Sequence, residues 1–157
     1  MKLFRKLLSN NIIGIASGGG HLSELQSAIP KSLKSDITYI TFKNGHTIKS
    51  LVGAKYYFII DPHDSKIKYL INFIYAFLLF VILRPKIIIS TGAGIAIPFM
   101  MIGKFFGSKL IFIETGARVY TVSKTGNFMY KYADKFFVQY EVLLKKYPKA
   151  ILGSLHW

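Results

Sequence analysis

Along the whole chain, short and continuously apolar runs alternate with apolar stretches of helical length. Residues 11–16, 36–42, 56–60, 86–90, 109–114 and 135–139 read as strands, each rich in β-branched or aromatic side chains. Polar residues do not alternate regularly with apolar ones inside these runs. Strands of that kind have both faces covered, as in parallel sheets packed between helices. Between them, residues 21–29 read as a helix stopped by Pro30. Residues 66–83 read as a long helix ended by Arg84 and Pro85. A third helix runs to Phe106, and a fourth covers residues 127–133. This alternation predicts an α/β protein with a doubly wound, Rossmann-like parallel sheet. No repeat, linker or low-complexity stretch interrupts the pattern, so residues 1–157 are expected to form one domain.

The run 69–83 stands apart, because Asn72 is its only clearly polar side chain. At helical rise it is about 22 Å long, short of the roughly 30 Å hydrocarbon core of a bilayer. A simple membrane span is therefore not expected, and two readings stay open. One is a buried crossover helix. The other is a helix lying on or dipping into one leaflet, with Phe73, Phe77 and Phe80 as its apolar contacts. Lys66, Lys68, Arg84 and Lys86 would then meet lipid phosphates. The basic and apolar start, residues 1–8, reads either as a short interfacial segment or as a frayed terminus, and it does not have the form of a secretory signal.

Composition sharpens this picture. Hydrophobic residues make up 52% of the chain, while 21 basic and 7 acidic residues give a net charge of +14. So much apolar content excludes disorder. High charge of this sign suits an anionic membrane surface or a nucleic acid. The basic residues are scattered and no nucleic-acid motif is present, so the membrane surface is the expected partner. The absence of cysteine removes disulfides and thiolate metal sites, and it fits a reducing compartment. His46, His63 and His156 have no metal-like spacing. Asp61 and Asp64 have two residues between them rather than one, so neither a metal nor a metal-dependent nucleotide-sugar site is expected.

Three glycine-rich loops each follow a strand. The first is Ser17, Gly18, Gly19 and Gly20, before His21. Glycines there let backbone N–H groups approach an anion or a sugar at a helix start. Ser23 stands where a dinucleotide fingerprint needs its third glycine, and no acid ends the second strand, so a nicotinamide cofactor is disfavoured. His21, at the mouth of the sheet, is either a general base or an orienting group. The second loop is Thr91, Gly92, Ala93 and Gly94. The third contains Glu114, Thr115, Gly116, Ala117 and Arg118. Glu114 and Arg118 either contact a polar substrate or pair with each other, and Glu114 is a second candidate base.

The blocks 17–25, 90–98, 110–119, 123–126 and 132–140, with the stretch 147–153, resemble a known family. It contains the membrane-anchored subunit of the two-chain N-acetylglucosamine transferase of dolichol-linked oligosaccharide synthesis. The resemblance is closer still to its bacterial exopolysaccharide and capsule counterparts, the PssD-like proteins. It spans nearly the whole chain. It implies the N-terminal half of a GT-B glycosyltransferase, the half that holds a lipid-linked acceptor in the peptidoglycan transferase MurG. A separate chain would bind the UDP-sugar donor. The implied reaction is inverting transfer to a polyprenyl-diphosphate-linked sugar at the cytoplasmic face of the membrane, with no cofactor. The eukaryotic pattern carries an N-terminal transmembrane helix that is not read here, so anchoring is expected to rest on the start of the chain and residues 69–83. The tail 155–157 is an expected partner contact. The rival class is a non-catalytic, basic scaffold at the membrane surface.

Overall fold

The computed structural model describes residues 12–60 and 65–153. Its strands are β1 (Ile12–Ala16), β2 (Ile37–Phe42), β3 (Lys55–Ile59), β4 (Ile87–Gly92), β5 (Lys109–Ile113), β6 (Lys135–Val138) and β7 (Ile151–Leu152). They form one sheet in the order β3-β2-β1-β4-β5-β6-β7, with every neighbouring pair parallel. The helices are α1 (Gly20–Ala28), α2 (Gly45–Ser50), α3 (Lys66–Leu83), α4 (Ala96–Phe105) and α5 (Lys124–Met129). The expected doubly wound α/β sheet is what the chain forms.

Successive side chains of a strand point to opposite faces. On one face Ile13, Ile15, Ile40 and Ile88 bury themselves against Ala76, Leu79 and Phe80 of α3 and Phe99 and Met100 of α4. On the other, Ala16, Ile37 and Tyr39 pack with Leu22 and Leu25 of α1 and Leu51 beyond α2. Both faces are therefore covered, which is why the strands read as apolar throughout.

Two elements carry no apolar signal and were not expected. Helix α2 is set by a capping box, in which Asn44 Oδ1 accepts from Thr47 N at 2.7 Å and Thr47 Oγ1 accepts from Asn44 N at 2.8 Å. Strand β7 is two residues long at the sheet edge. The helix expected over 127–133 begins instead at Lys124, because Ser123 Oγ accepts from Gly126 N at 2.8 Å.

Helix α3 settles part of the question its sequence leaves open. Ser65 caps its start, and Arg84, in the left-handed region at φ 43°, ends it before Pro85. Its inner arc holds Asn72, Ala76, Leu79 and Phe80. Its outer arc, with Ile67, Leu70, Ile74, Leu78 and Ile82, is exposed. The helix is long and apolar enough to cross a membrane by length and composition alone. Phe73 and Phe77 are exposed, but Phe80 corrects the expectation that all three share the outer face. It is 6% exposed. At 100° per residue it lies about 20° from Phe73, on the seam between the two arcs. There Phe99 and Phe106 cover it, with ring centroids 5.9 and 5.3 Å away. The expectations placed on residues 1–8, Asp61, His63, Asp64 and 155–157 lie outside the described residues.

Candidate functional site

In a sheet of this order the strand sequence reverses between β1 and β4, and ligands bind outside the carboxyl ends at that switch point. The three glycine loops meet there. Strand β4 reaches Gly92, two residues further than expected, and its register with β1 shifts at this end, where Ile15 faces Ser90 and Ala16 faces Gly92. The irregularity lets Thr91 Oγ1 donate to the carbonyl of His21 at 2.6 Å. Thr91 is 1% exposed, so its side chain ties the first two loops together and does not open to a ligand.

The imidazole of His21 lies over Gly92. A Cβ at that position would sit 3.5 Å from His21 Cε1, and the φ of +116° favours glycine. One turn further on, Glu24 reaches the third loop. Its Oε1 accepts from Gly116 N at 2.8 Å and from Thr115 Oγ1 at 3.0 Å. Its Oε2 faces His21 Nδ1 at 3.7 Å, and neither of these two buried atoms has another partner among the described residues. Burial pushes the Glu24 carboxyl up, but the bonds from His21, Gly116 and Thr115 and the charge of His21 outweigh it. Its pKa lies below the ordinary value. With Nδ1 turned to Glu24, Nε2 is the nitrogen left for a ligand, and the His21 side chain is 31% exposed. Helix α1 therefore joins all three loops through two side chains, His21 and Glu24.

Glu114 does something different from what its place in the sequence suggests. It is fully buried. Its carboxylate accepts from Thr115 N at 3.0 Å and from Ser123 N and Oγ at 3.2 Å each. Gly126 backs onto it so closely that a Cβ there would collide with Oε2. Gln139 Nε2 donates to its carbonyl at 3.0 Å, and Tyr140 Oη donates to the Gly116 carbonyl at 2.8 Å. Glu114 thus folds the loop 115–123 back onto the start of α5 and does not face the cleft, so the expectation of a base at Glu114 is corrected. Of the two readings for Glu114 and Arg118, the ion pair between them does not form. Arg118 is exposed, and among the described residues its guanidinium reaches Thr121 Oγ1 alone, at 3.5 Å.

The glycines divide in the same way. Gly19 and Gly20 face open space. Gly18 is backed by Asn44 and Thr47, and Gly94 by the Tyr69 hydroxyl, which a Cβ would approach to 2.5 Å and 2.6 Å respectively. Ser17 is half-buried beside them. The open surface of the site is thus Gly19, Gly20, the outer edge of His21, and Arg118. Sequence reading assigned no role to Glu24, Gln139 or Tyr140. Only Glu24 left a signal, since its spacing of three residues from His21 puts both on one helix face. Among the described residues, no group of three His, Cys, Asp or Glu side chains comes together.

Comparison with known proteins adds an independent view. A family model described as "Oligosaccharide biosynthesis protein Alg14 like" matches residues 61–155. The UDP-N-acetylglucosamine transferase subunit ALG14 of Candida albicans is 28% identical, over 95% of this chain and 80% of that protein. The human protein of the same name is 28% identical over 46% of this chain, which spans 37% of the human protein's length. Among solved structures, MurG of Acinetobacter baumannii superposes with a TM-score of 0.70 at 15% identity, over 84% of this chain and 42% of that one. The UDP-GlcNAc 2-epimerase of Methanocaldococcus jannaschii gives 0.65 at 10% identity, over 90% and 45%. Likeness at this identity establishes the fold, which is of the GT-B type, and in both cases the match spans less than half of the neighbour.

Proposed function

The chain belongs to the Alg14-like family of oligosaccharide biosynthesis proteins, and on that premise we propose that it is the acceptor-side, membrane-associated subunit of a two-chain glycosyltransferase. The observation that carries this reading is the joining of three glycine loops by His21 and Glu24 at the switch point of the sheet. Such a site holds an oxygen-rich substrate against backbone N–H groups and presents one imidazole nitrogen to it. A second chain, the donor-binding subunit, supplies the UDP-sugar. The name "subunit" carried by the relatives supports this, as does the match to less than half of each solved neighbour.

The acceptor in this reading is a sugar on a polyprenyl diphosphate, and the product feeds exopolysaccharide or capsule assembly at the cytoplasmic face of the membrane. The domain corresponds to the N-terminal half of a GT-B enzyme. Gly19, Gly20 and Arg118 lie where the acceptor's phosphates or sugar hydroxyls would be held. His21 Nε2 takes the proton of the acceptor hydroxyl as that oxygen bonds to the anomeric carbon of the donor sugar. The bond from that carbon to the UDP oxygen breaks, and UDP leaves with the electron pair, so the configuration inverts. Glu24 holds the imidazole and balances the charge it gains. The outer face of α3, through Phe73 and Phe77, rests on the membrane.

The test is His21→Ala in the assembled two-chain enzyme. General-base removal is expected to lower kcat by about 10²-fold or more with partner binding intact. Near-normal turnover would leave the chain as a scaffold that recruits its partner to the membrane, and would remove His21 from the chemistry.

A further inference from the structure

At the amino edge of the sheet, opposite the glycine loops, a groove of about 590 Å³ opens between the end of α3 and the start of β5. It is lined by Phe80, Val81, Arg84, Pro85, Lys86, Phe106, Gly107, Ser108 and Lys109, and so combines an apolar floor with a cationic lip. The framework is built rather than incidental. Ser108, which is buried, donates from Oγ to the Pro85 carbonyl at 2.6 Å, and Lys109 N donates to the Lys86 carbonyl at 2.8 Å. Arg84 Nε donates to the Val81 carbonyl at 3.2 Å, which leaves the terminal nitrogens of the guanidinium for a ligand. The apolar floor is continuous with the exposed arc of α3 and with Phe105 and Phe106, which are 84% and 55% exposed.

We infer that this groove is a site for an anionic phospholipid, with the phosphate held by Arg84 and Lys86 and the first part of an acyl chain lying along Val81 and Phe106. The inference rests on the membrane reading above and adds to it a specific headgroup site about 20 Å, the length of β4, from the catalytic cleft. A small soluble anion would meet the cations but have no use for Val81, Pro85 and Phe106. An apolar peptide would fill the floor and leave Arg84 and Lys86 without a counter-charge, whereas Lys109 already pairs with Asp134 at 3.4 Å. An anionic phospholipid matches both, and a chain of net charge +14 is drawn to the surface that offers it. Occupation of this groove together with contact along α3 would lay the helix in the plane of the membrane and fix the rotation of the sheet.

Full-length chain and variants would be titrated at 0.15 M salt with vesicles of phosphatidylcholine alone and of phosphatidylcholine with 30% phosphatidylglycerol. The double variant Arg84→Gly, Lys86→Gln keeps the left-handed cap, because glycine accepts φ 43°. It is expected to bind the anionic vesicles about 30-fold more weakly and the neutral ones unchanged. Val81→Asp, at a half-exposed position, is expected to lose anionic binding to a similar degree. Lys145→Gln with Lys146→Gln removes the same charge outside the groove and is expected to cost less than about 3-fold. Equal losses in the two double variants would overturn the headgroup site while leaving α3 as a membrane face. No vesicle binding by the parent chain would remove the membrane reading itself. Full competition by 10 mM inorganic phosphate would make the groove a simple anion site and overturn the lipid assignment.

Discussion

The two edges of the sheet are built on opposite terms. At the carboxyl edge, most of the polar side chains are engaged with one another: Glu114 with the loop 115–123, Thr91 with His21, Gln139 and Tyr140 with the backbone of the third loop. The surface left for a ligand is small, namely two glycines, the edge of an imidazole and Arg118. At the amino edge and along α3, much of the apolar and cationic surface faces outward. An edge whose loops are tied together by side-chain hydrogen bonds suits chemistry that depends on fixed geometry. An uncommitted, basic and apolar face suits attachment to a surface that has no fixed geometry of its own.

The comparison breaks most sharply at Glu114. Replacing it by Ala leaves Thr115 N, which is buried, and Ser123 N, which is partly buried, without acceptors, and a buried group of this kind costs about 1–3 kcal/mol. A loss of about 3 kcal/mol or more is expected in urea unfolding. A loss under 1 kcal/mol would mean the carboxylate is not the keystone of the third loop. Gly126→Ala should do comparable damage from the other side, because its Cβ enters the space of Oε2.

On α3 the same contrast appears within a single helix. Phe80→Ser should cost about 3 kcal/mol through the cavity it leaves beside Phe99. Phe73→Ser, on the outer arc, should change stability by no more than about 0.5 kcal/mol, yet weaken vesicle binding. If both substitutions unfold the protein equally, the outer arc is not a free face.

Acid should separate the two edges as well. Glu24 and Asp134 both have carboxyl groups held below their ordinary values. Burial opposes this for each; the bonds of Glu24 to the third loop and His21, and those of Asp134 to Leu110 N, Lys104 and Lys109, outweigh it. A depressed folded value gives stability that is complete above the ordinary values of 4.5 and 3.8, and that is lost as pH falls through the depressed ones. The Tm should therefore fall as pH drops from 5 towards 3, and Glu24→Gln should flatten part of that fall. An unchanged pH profile in Glu24→Gln would remove the carboxylate from the loop junction.

At Asn72 the expected effect has the opposite sign. Its side-chain amide is fully buried, and neither atom is hydrogen-bonded among the described residues. Asn72→Leu should stabilise the chain or leave it unchanged, by up to about 1 kcal/mol in thermal unfolding. A clear destabilisation would reveal a polar partner for that amide.

These regions also differ in how far the sequence exposes them. The sheet was legible because β1, β2, β4 and β5 are buried on both faces, and such strands announce themselves as unbroken apolar runs. Strand β7 and helix α2 were not, since a two-residue edge strand and a helix fixed by a capping box carry no apolar period. The glycine loops were legible as loops. Which of their polar residues face inward was not, because Glu114 and Arg118 look alike as charged residues after a strand, and only the return of Ser123 and Gly126 decides between them. On α3 the sequence shows an apolar helix but not its seam. Phe73, Phe77 and Phe80 read as one stripe until Phe106, from another helix end, covers the last of them.

The central claim is that this chain holds one half of a transferase site and that a second chain completes it. It is tested most directly by sugar transfer from a labelled UDP-sugar to a polyprenyl-diphosphate-linked acceptor. Turnover would be measured for the purified chain alone and for the chain co-purified with a donor-binding subunit. No turnover by the lone chain, a stable complex with the second chain, and transfer by that complex are the expected results. Robust transfer by the lone chain, with any donor-binding subunit excluded by mass spectrometry, would contradict the claim.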